Sequence, residues 1–352
     1  MASRLRIGVI GAGDNTRTKH IPGLRAERDV EIVAVCNRRP ESTERVAREY
    51  DIPRRFGRWE ELVGDPGIDA VVIGTWPYLH CPITLAALAA GKHVLTEARM
   101  SLNAAEAHRM RQAAQAHPKL VTQIVPSPIG LAGDRLMREM IQAGYLGEIR
   151  EYHVYSQNGA LADPKSPLAW RQDAGFSGFN ALSLGILHET LLRWLPQPSK
   201  LFAQTRAFIA ERLDSGSGLC RPVETPDSIQ VVTRLDSGAA GVYRFSGVSP
   251  FDGGMAIELS GSEGWLRYDL AADKIYGARE QASGAGREIA IPADKRGGWR
   301  VEADFVRSIR EGTPVEFTNF DSGVAYMEFT EAVARSALND EVVELPLADF
   351  IP

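Results

Sequence analysis

The 352-residue sequence is short of cysteine: it has three, Cys36, Cys81 and Cys220, an odd number set far apart. That spacing supplies neither a disulfide framework nor the paired thiols of a zinc site, so no metal is expected. Long apolar runs are missing, and none approaches the roughly 20 residues that cross a bilayer. Basic charge is not in excess either. The 40 Lys and Arg stand against 45 Asp and Glu, a net charge of −5 that argues against a nucleic-acid surface. The start MASRLRIGVIGAG runs straight into a strand pattern, without the successive regions of a secretory signal. A cytoplasmic setting, with no membrane and no nucleic acid as partner, is the expectation. Repeats and low-complexity tracts are absent too. What remains is an ordinary globular composition, 44% hydrophobic and 24% charged, with chain enough for two domains.

The first third alternates strand and helix patterns. LRIGVI (5–10), VEIVAVCN (30–37), IDAVVIGT (68–75), KHVLTE (92–97) and KLVTQIV (119–125) are short apolar runs, as strands covered on both faces should be. Between them ESTERVAREY has a capping-type start at Ser42, CPITLAALAAG stops at Gly91, and NAAEAHRMRQAAQAH carries Asn103 and Glu106 in a capping-box spacing. This alternation predicts an open parallel sheet. After 126 the texture changes. An amphipathic helix, DRLMREMIQAGYLG, precedes a series of strand-like runs from IREYHVYSQ to REIAIPA, and two helices close the chain. The series predicts a mostly antiparallel sheet. The turn-rich stretch LDSGSGLCRPVETPD (213–227) reads as a mobile loop or a lid.

Gly11-x-Gly13 follows the first strand and opens a helix, beginning Asp14-Asn15-Thr16. Glycines there let a pyrophosphate approach the backbone, and the helix start offers amide donors. The usual third glycine is Thr16, so the fingerprint is incomplete, but its strand–turn–helix setting is the required one. The second strand ends in Asn37-Arg38-Arg39, where a carboxylate would bind the 2′-hydroxyl of NAD. Two arginines instead favour NADP, with NAD still possible. Thr75 ends the third strand, and Trp76 and Pro77 lie over the carboxyl end of the sheet. Trp76 either packs on the cofactor or anchors its loop, and His80 reads as a helix-start residue with a satisfied ring.

GVIGAGDNTRTKHIPGLRA, GTWPYLHCPITLAALAAGKHVLTE, MIQAGYLGEIREYHVY, LGILHETLLRWL, WRVEADFVRSIREGTP and EAVARSALNDEVVELP together resemble the Gfo/Idh/MocA (glucose–fructose oxidoreductase, inositol dehydrogenase, MocA-like) oxidoreductases over nearly the whole chain. The resemblance implies a Rossmann dinucleotide-binding domain over 1–124. It implies a C-terminal α+β domain with a large, mostly antiparallel open sheet over 125–352, for substrate binding and oligomerisation. The closing helices could pack back on the first domain. It also implies a nicotinamide cofactor and a homodimer or homotetramer formed through that sheet.

The pattern breaks where the family's chemistry sits. Its Glu-Lys-Pro is here Glu97-Ala98-Arg99. Aligning its Asp-x-Gly-x-His on Gly185 puts Ser183 and Leu187 at the acid and the histidine, with Thr190 at a further position that is often Asp. The family's Arg-Phe after the fifth strand is PSPIG (126–130). His188 and Glu189 are nearby but rotated by about 100° and 200° from Leu187 on a regular helix, so they replace the missing pair only if the helix start shifts or bulges. Glu97 is expected to position the cofactor. His188, Glu189, Arg99 and Asn180 are the candidate catalytic residues. Tyr152, His153 and the pair Trp170-Arg171 are further candidates; as neighbours on a strand, only one of Tyr152 and His153 can face a cleft. Each has a structural alternative: a packed helix face for His188 and Glu189, a salt bridge for Arg99, a helix cap for Asn180.

The expected function is an NAD(P)-dependent oxidoreductase acting on a sugar, cyclitol or related hydroxylated small molecule through a non-standard proton relay. Two alternatives stay open. One is a lyase, hydrolase or epimerase that oxidises only transiently; the other is an inactive nucleotide-binding regulator.

Overall fold

In the computed structural model, which describes residues 4–126, 131–279 and 286–350, each of the five N-terminal apolar runs forms a strand. The chain divides into two units, Met1–Pro126 with Arg300–Val324, and Ser127–Trp299 with Ala325–Pro352.

The first unit holds β1 (Leu5–Ile10), β2 (Val30–Cys36), β3 (Arg54–Arg55), β4 (Ala70–Ile73), β5 (His93–Thr96) and β6 (Thr122–Ile124). All pair in parallel, in the order β3-β2-β1-β4-β5-β6. Every residue of β4 is buried, as expected of a strand covered on both faces. The edge strand β3 has no apolar run to announce it; backbone pairing with Ala34 and Val35 draws it in.

Connecting helices are α1 (Ile21–Ala26), α2 (Pro40–Glu49), α3 (Trp59–Val63), α4 (His80–Ala89) and α5 (Ala104–Ala116). Asn103 caps α5 by accepting from the Glu106 N–H at 2.9 Å, and the Glu106 carboxylate accepts from the Leu102 N–H at 3.1 Å. α2 starts earlier than the sequence suggested, because Pro40, with its fixed φ and no N–H, suits the first helical position. Ser42 is thereby freed for another partner. The helix Val301–Glu311 also belongs to this unit: Gln123 Nε2 donates to the Val301 carbonyl at 3.1 Å. The strand order reverses between β1 and β4, so a crevice opens beyond their carboxyl ends, where Gly11 and Gly74 follow.

The second unit contains β7 (Ile149–Gln157), β8 (Lys200–Arg206), β9 (Glu211–Leu213), β10 (Cys220–Pro222), β11 (Ser228–Arg234), β12 (Ala240–Ser246), β13 (Gly254–Gly261), β14 (Gly264–Asp269), β15 (Lys274–Arg279), β16 (Arg287–Ile289) and β17 (Val343–Glu344). Nine of them form one sheet, ordered β16-β15-β14-β13-β7-β12-β11-β8-β17, antiparallel throughout except for β7 against β12. Along β12, Gly241, Tyr243 and Phe245 are buried while Ala240, Val242 and Arg244 are exposed, so one face is packed and the other open. The helices are α6 (Asp134–Gln142), α7 (Ala174–Ser177), α8 (Leu184–Leu192) and most of the long helix Phe320–Asn339. The stretch read as a loop or lid includes β10, which pairs with β9 in a separate hairpin; Asp214 accepts from the Gly216 N–H to tighten its turn. Of PSPIG, residues 127–130 lie outside the described residues. Among the described residues, no helix is long and apolar enough to cross a membrane.

Candidate functional site

The loop after β1 is built for close approach. Gly11 has φ +83°, and a Cβ there would lie 2.7 Å from the Thr75 backbone nitrogen, so only glycine fits. A Cβ on Gly13 would meet nothing nearer than the Gly74 carbonyl oxygen at 3.8 Å, so the space over this backbone is open. Thr16, at the third-glycine position, is buried; its hydroxyl donates to the Gly11 carbonyl at 3.2 Å. Gly74 makes room for it, since a Cβ there would come within 2.1 Å of Thr16 Oγ1. The missing glycine is thus compensated across the crevice, and Thr16 braces the loop from beneath.

A cavity of about 700 Å³ opens beside this loop. Asn37 forms part of its wall with both ends of its amide engaged: Oδ1 accepts from the Ala12 N–H at 2.7 Å and Nδ2 donates to Ser42 Oγ at 3.1 Å. It therefore shapes the glycine loop and offers no carboxylate to a ribose. Arg38, Arg39 and Arg58 rim the same cavity, together with Glu60; Thr75, Trp76 and Tyr78 line its other side. The lining fits a dinucleotide: open glycine backbone beside a helix start, an aromatic wall and a cationic end. Arg58, Ser42 and Tyr78 were not among the expected cofactor contacts: Ser42 read only as a helix start, and Arg58 and Tyr78 follow strands without a ligand pattern of their own.

Helical backbone begins at Asp14, whose side chain is exposed and 3.9 Å from Arg17. Over Thr16–His20 it widens into a π-helical turn, in which the Ile21 N–H donates to the Thr16 carbonyl. One extra residue in a turn changes which side chain faces inward. The residue turned inward is His20, with no exposed surface. Its Nδ1 lies 2.5 Å from Glu302 Oε1, and its Nε2 lies 2.9 Å from Glu97 Oε1. Asn15 Nδ2 donates to the same Glu97 oxygen. Burial alone would depress the imidazole, but Glu302 and Glu97 outweigh it and raise the pKa to about 9. Burial opposes ionisation of Glu97 as well; His20 and Asn15 still hold its carboxyl below the usual range. Neither His20 nor Glu302 was singled out from sequence. They are 282 positions apart, so no spacing rule connects them.

Glu97 itself follows β5, and its N–H donates to the Ile73 carbonyl at the end of β4. Ala98 offers no functional group. Arg99 is buried rather than on the surface, and its carbonyl lies 2.8 Å from His80 Nδ1. His80 Nε2 lies 3.0 Å from the Thr75 carbonyl. Burial lowers the His80 pKa, and a neutral ring has one N–H, so it donates to one of the two carbonyls at a time. His80 pins the β4 loop to the segment after β5; it reads as an anchor, not a proton carrier.

In the second unit the expected catalytic group is not assembled. α8 is a regular helix from Leu184 to Leu192, with the Leu187 N–H on the Ser183 carbonyl at 3.0 Å, so no shift or bulge carries His188 and Glu189 onto the 183/187/190 face. His188 is fully buried: Nδ1 is 2.8 Å from Tyr243 Oη, Nε2 is 3.3 Å from Gln197 Oε1, and the ring stacks on Phe329 at 3.6 Å between centroids. Burial pushes its pKa down to about 3. Glu189 is buried in a bidentate pair with Arg193, at 3.0 and 2.6 Å. Asn180 Nδ2 donates to the Ser177 carbonyl at 2.7 Å, a local capping contact. These positions match the packing and capping alternatives, because each side chain is committed to its own core. Tyr152 points inward to Thr233 Oγ1 at 2.6 Å and His153 outward, while the Arg171 guanidinium stacks over Trp170 at 4.2 Å.

Residues 5–124 match the family described as "Oxidoreductase family, NAD-binding Rossmann fold", and residues 135–267 match the "GFO/IDH/MocA C-terminal domain". Levoglucosan dehydrogenase of Pseudarthrobacter phenanthrenivorans is 24% identical, over 90% of this chain and 89% of its own. The dTDP-3,4-didehydro-2,6-dideoxy-alpha-D-glucose 3-reductase of Saccharopolyspora spinosa is 28% identical over 97% of both chains. Among solved structures, a levoglucosan dehydrogenase in complex with NADH and L-sorbose superposes with a TM-score of 0.85, at 22% identity, over 97% of this chain and 99% of the other. At that identity the likeness speaks for the fold.

Proposed function

Because the chain belongs to the Gfo/Idh/MocA oxidoreductase family, we propose that it is a nicotinamide-dependent dehydrogenase of a sugar, cyclitol or related polyhydroxylated small molecule, with NADP preferred. Residues 1–124 form its cofactor domain, on which the helix Val301–Glu311 packs back, and the rest of 125–352 forms its substrate and oligomerisation domain. The observation that carries the reading is the cavity beside Gly13, where Asn37 is tied to Ala12 and Ser42 and three arginines rim the end at which a carboxylate would select NAD. The relatives named for anhydrosugar and deoxysugar substrates support the substrate class.

Gly11, Gly13, Asp14 and Asn15 would hold the pyrophosphate end of the cofactor, Arg38 and Arg58 a 2′-phosphate, and Thr75 and Trp76 the opposite wall. Once bound, the cofactor supplies a hydride acceptor. The proton relay is non-standard, since Ala98, Leu187 and Thr190 carry no carboxyl, amine or imidazole. Of the expected replacements, Arg99 shares a segment with Glu97. An arginine keeps its proton, so its role would be to stabilise charge on the reacting oxygen while water takes the proton. The open face of the large sheet, with Val232 at 53% and Val242 at 42% exposure, is the proposed self-association surface. The setting proposed is cytoplasmic.

Titrating the protein with NADPH and NADH tests the cofactor assignment. NADPH is expected to bind more tightly, and Arg38→Ala to weaken NADPH about tenfold while NADH changes less than about twofold, as loss of one charge-assisted contact implies. Failure to bind either dinucleotide would overturn the proposal. Anhydrosugars, inositols and deoxysugars should then produce a lasting change in nicotinamide absorbance. Product without that change would point to transient oxidation instead.

A further inference from the structure

The cluster His20–Glu97–Glu302 lies outside everything assigned above except Glu97, and it is more elaborate than a packing site needs. Three charged side chains meet from three distant segments: the π-helical turn, the end of β5 and the start of the helix Val301–Glu311. Their side-chain exposures rise in order, 0% for His20, 4% for Glu302 and 15% for Glu97. The charge is therefore built inward from Glu97, whose edge alone meets solvent. Glu97 spends one oxygen, Oε1, on both His20 and Asn15. Its other oxygen has no hydrogen-bond partner among the described residues. Asn15 stands two positions from Gly13, and Glu97, just past β5, donates its N–H to Ile73 at the end of β4, two residues before Thr75; Gly13 and Thr75 both line the cavity.

The approach of Glu302 is also built. A Cβ on Gly23 would lie 2.6 Å from Glu302 Oε2 and 2.7 Å from its Cδ, so a residue of α1 has no side chain where the carboxylate lies. A second carboxylate on the far ring nitrogen has a definite consequence. Facing two acceptors, the ring satisfies both only as imidazolium, with an N–H on each side. A doubly protonated ring then always donates to Glu97 and cannot flip to a tautomer that repels it.

We propose that His20 and Glu302 are positioning residues that fix Glu97 as an oriented carboxylate, whose open oxygen accepts a hydrogen bond from a hydroxyl of the cofactor's nicotinamide ribose. The assignment rests on the dinucleotide reading. His20 is bonded to Glu97 and Glu302, with Asn15 on its own helix beside it, and His80 lies close enough to act on Glu97. Below the His20 transition the clamp is closed; above it the ring keeps one N–H, and one carboxylate loses its donor.

The test is binding rather than turnover. NADH, ADP-ribose and ADP are titrated against the full-length protein from about pH 7 to about pH 10, a range that spans the raised imidazole transition. NADH and ADP-ribose affinity should hold to about pH 8 and fall through about pH 9, while ADP, which lacks the second ribose, should stay flat. His20→Gln should weaken NADH roughly tenfold at neutral pH and abolish the pH dependence, as loss of an oriented charged acceptor implies. Glu302→Gln should move the fall to lower pH. Gly23→Ala should do the same without removing any charged group, by displacing the flexible Glu302 side chain, and it stands in if His20→Gln does not fold. A flat wild-type NADH profile overturns the proposal, as does Gly23→Ala or His20→Gln binding NADH like wild type at every pH. ADP-ribose that behaves like ADP overturns the ribose assignment. A wild-type protein that binds neither NADH nor NADPH refutes the dinucleotide reading along with it, so the two failures are distinct.

Discussion

Two of the three histidines with no exposed surface, His20 in the first unit and His188 in the second, are held in opposite states of charge. His20 is raised to about 9 although burial works against it, whereas burial pushes His188 down to about 3. Their partners make the difference. His20 faces two carboxylates, which both need a donor. His188 faces a phenol and an amide oxygen, which a neutral ring satisfies completely: Nε2–H donates to Gln197 and Nδ1 accepts from Tyr243. Phe329, stacked at 3.6 Å, adds to the burial that disfavours the charged ring. A buried histidine is therefore a functional signal only with its partners named. Here the imidazole on α8 is core, and the one beside the glycine loop bridges two carboxylates.

The strongest way to break that comparison is His188→Ala. It removes a ring stacked on Phe329 and leaves Tyr243 Oη without its acceptor inside a packed core. A cost of about 3 kcal/mol is expected in urea unfolding, the scale for emptying a core site and stranding a polar group. NADH affinity of the folded variant should stay within about twofold of wild type. A loss of affinity comparable to that of His20→Gln would show that the two rings serve one site.

A smaller effect sharpens the contrast through pH. The folded pKa of His20 lies above the value of about 6.5 in an unfolded chain, so its contribution to stability is complete below that value and is lost as pH rises through about 9. His188 lies below the unfolded value, and the unfolded ring takes up a proton the folded one refuses. Its contribution is lost as pH falls from about 6.5 towards about 3. Urea midpoints measured across pH should show both limbs, each with a slope of at most about 1.4 kcal/mol per unit for one proton. Subtracting the profile of Glu302→Gln should isolate the alkaline limb, and that of His188→Ala the acid limb. An alkaline limb unchanged in Glu302→Gln would mean that His20 is not held as a cation.

Much of this was legible from sequence, and the reasons are local. The parallel sheet follows from short apolar runs such as Val30–Cys36, and the packed face of the second sheet from alternation such as that along β12. The glycine loop declares itself because a positive φ at Gly11 restricts the residue type. What stayed hidden depends on contacts that no period encodes. The π-helical turn shifts His20 by one place, Gly23 admits Glu302, and Gly74 admits Thr16. The edge strand Arg54–Arg55 has no apolar pattern because backbone pairing and the ion pairs Arg54–Asp65 and Arg55–Glu44 hold it. For α8 the sequence supplied the right test, helix regularity, but not its result, and the regular helix keeps His188 and Glu189 inward.

The smallest expected effect is at Thr190, the α8 position at which the family resemblance leads us to expect an acid. Its hydroxyl donates to the Ile186 carbonyl at 3.0 Å, one turn back on the same helix, and the residue is fully buried. That carbonyl keeps its helical partner when the hydroxyl goes, so Thr190→Val removes a donor without stranding an acceptor, and it adds a methyl of nearly the same volume. The desolvated hydroxyl and its one bond roughly cancel, and the change should lie within about 0.5 kcal/mol of wild type in urea unfolding. Turnover with whichever substrate proves active should be unaltered. A clear loss of turnover with stability intact would place a working group on α8 after all, and would move the chemistry back towards His188. An unchanged enzyme would leave α8 as a helix whose polar atoms serve only its own packing, in contrast to the turn that carries His20.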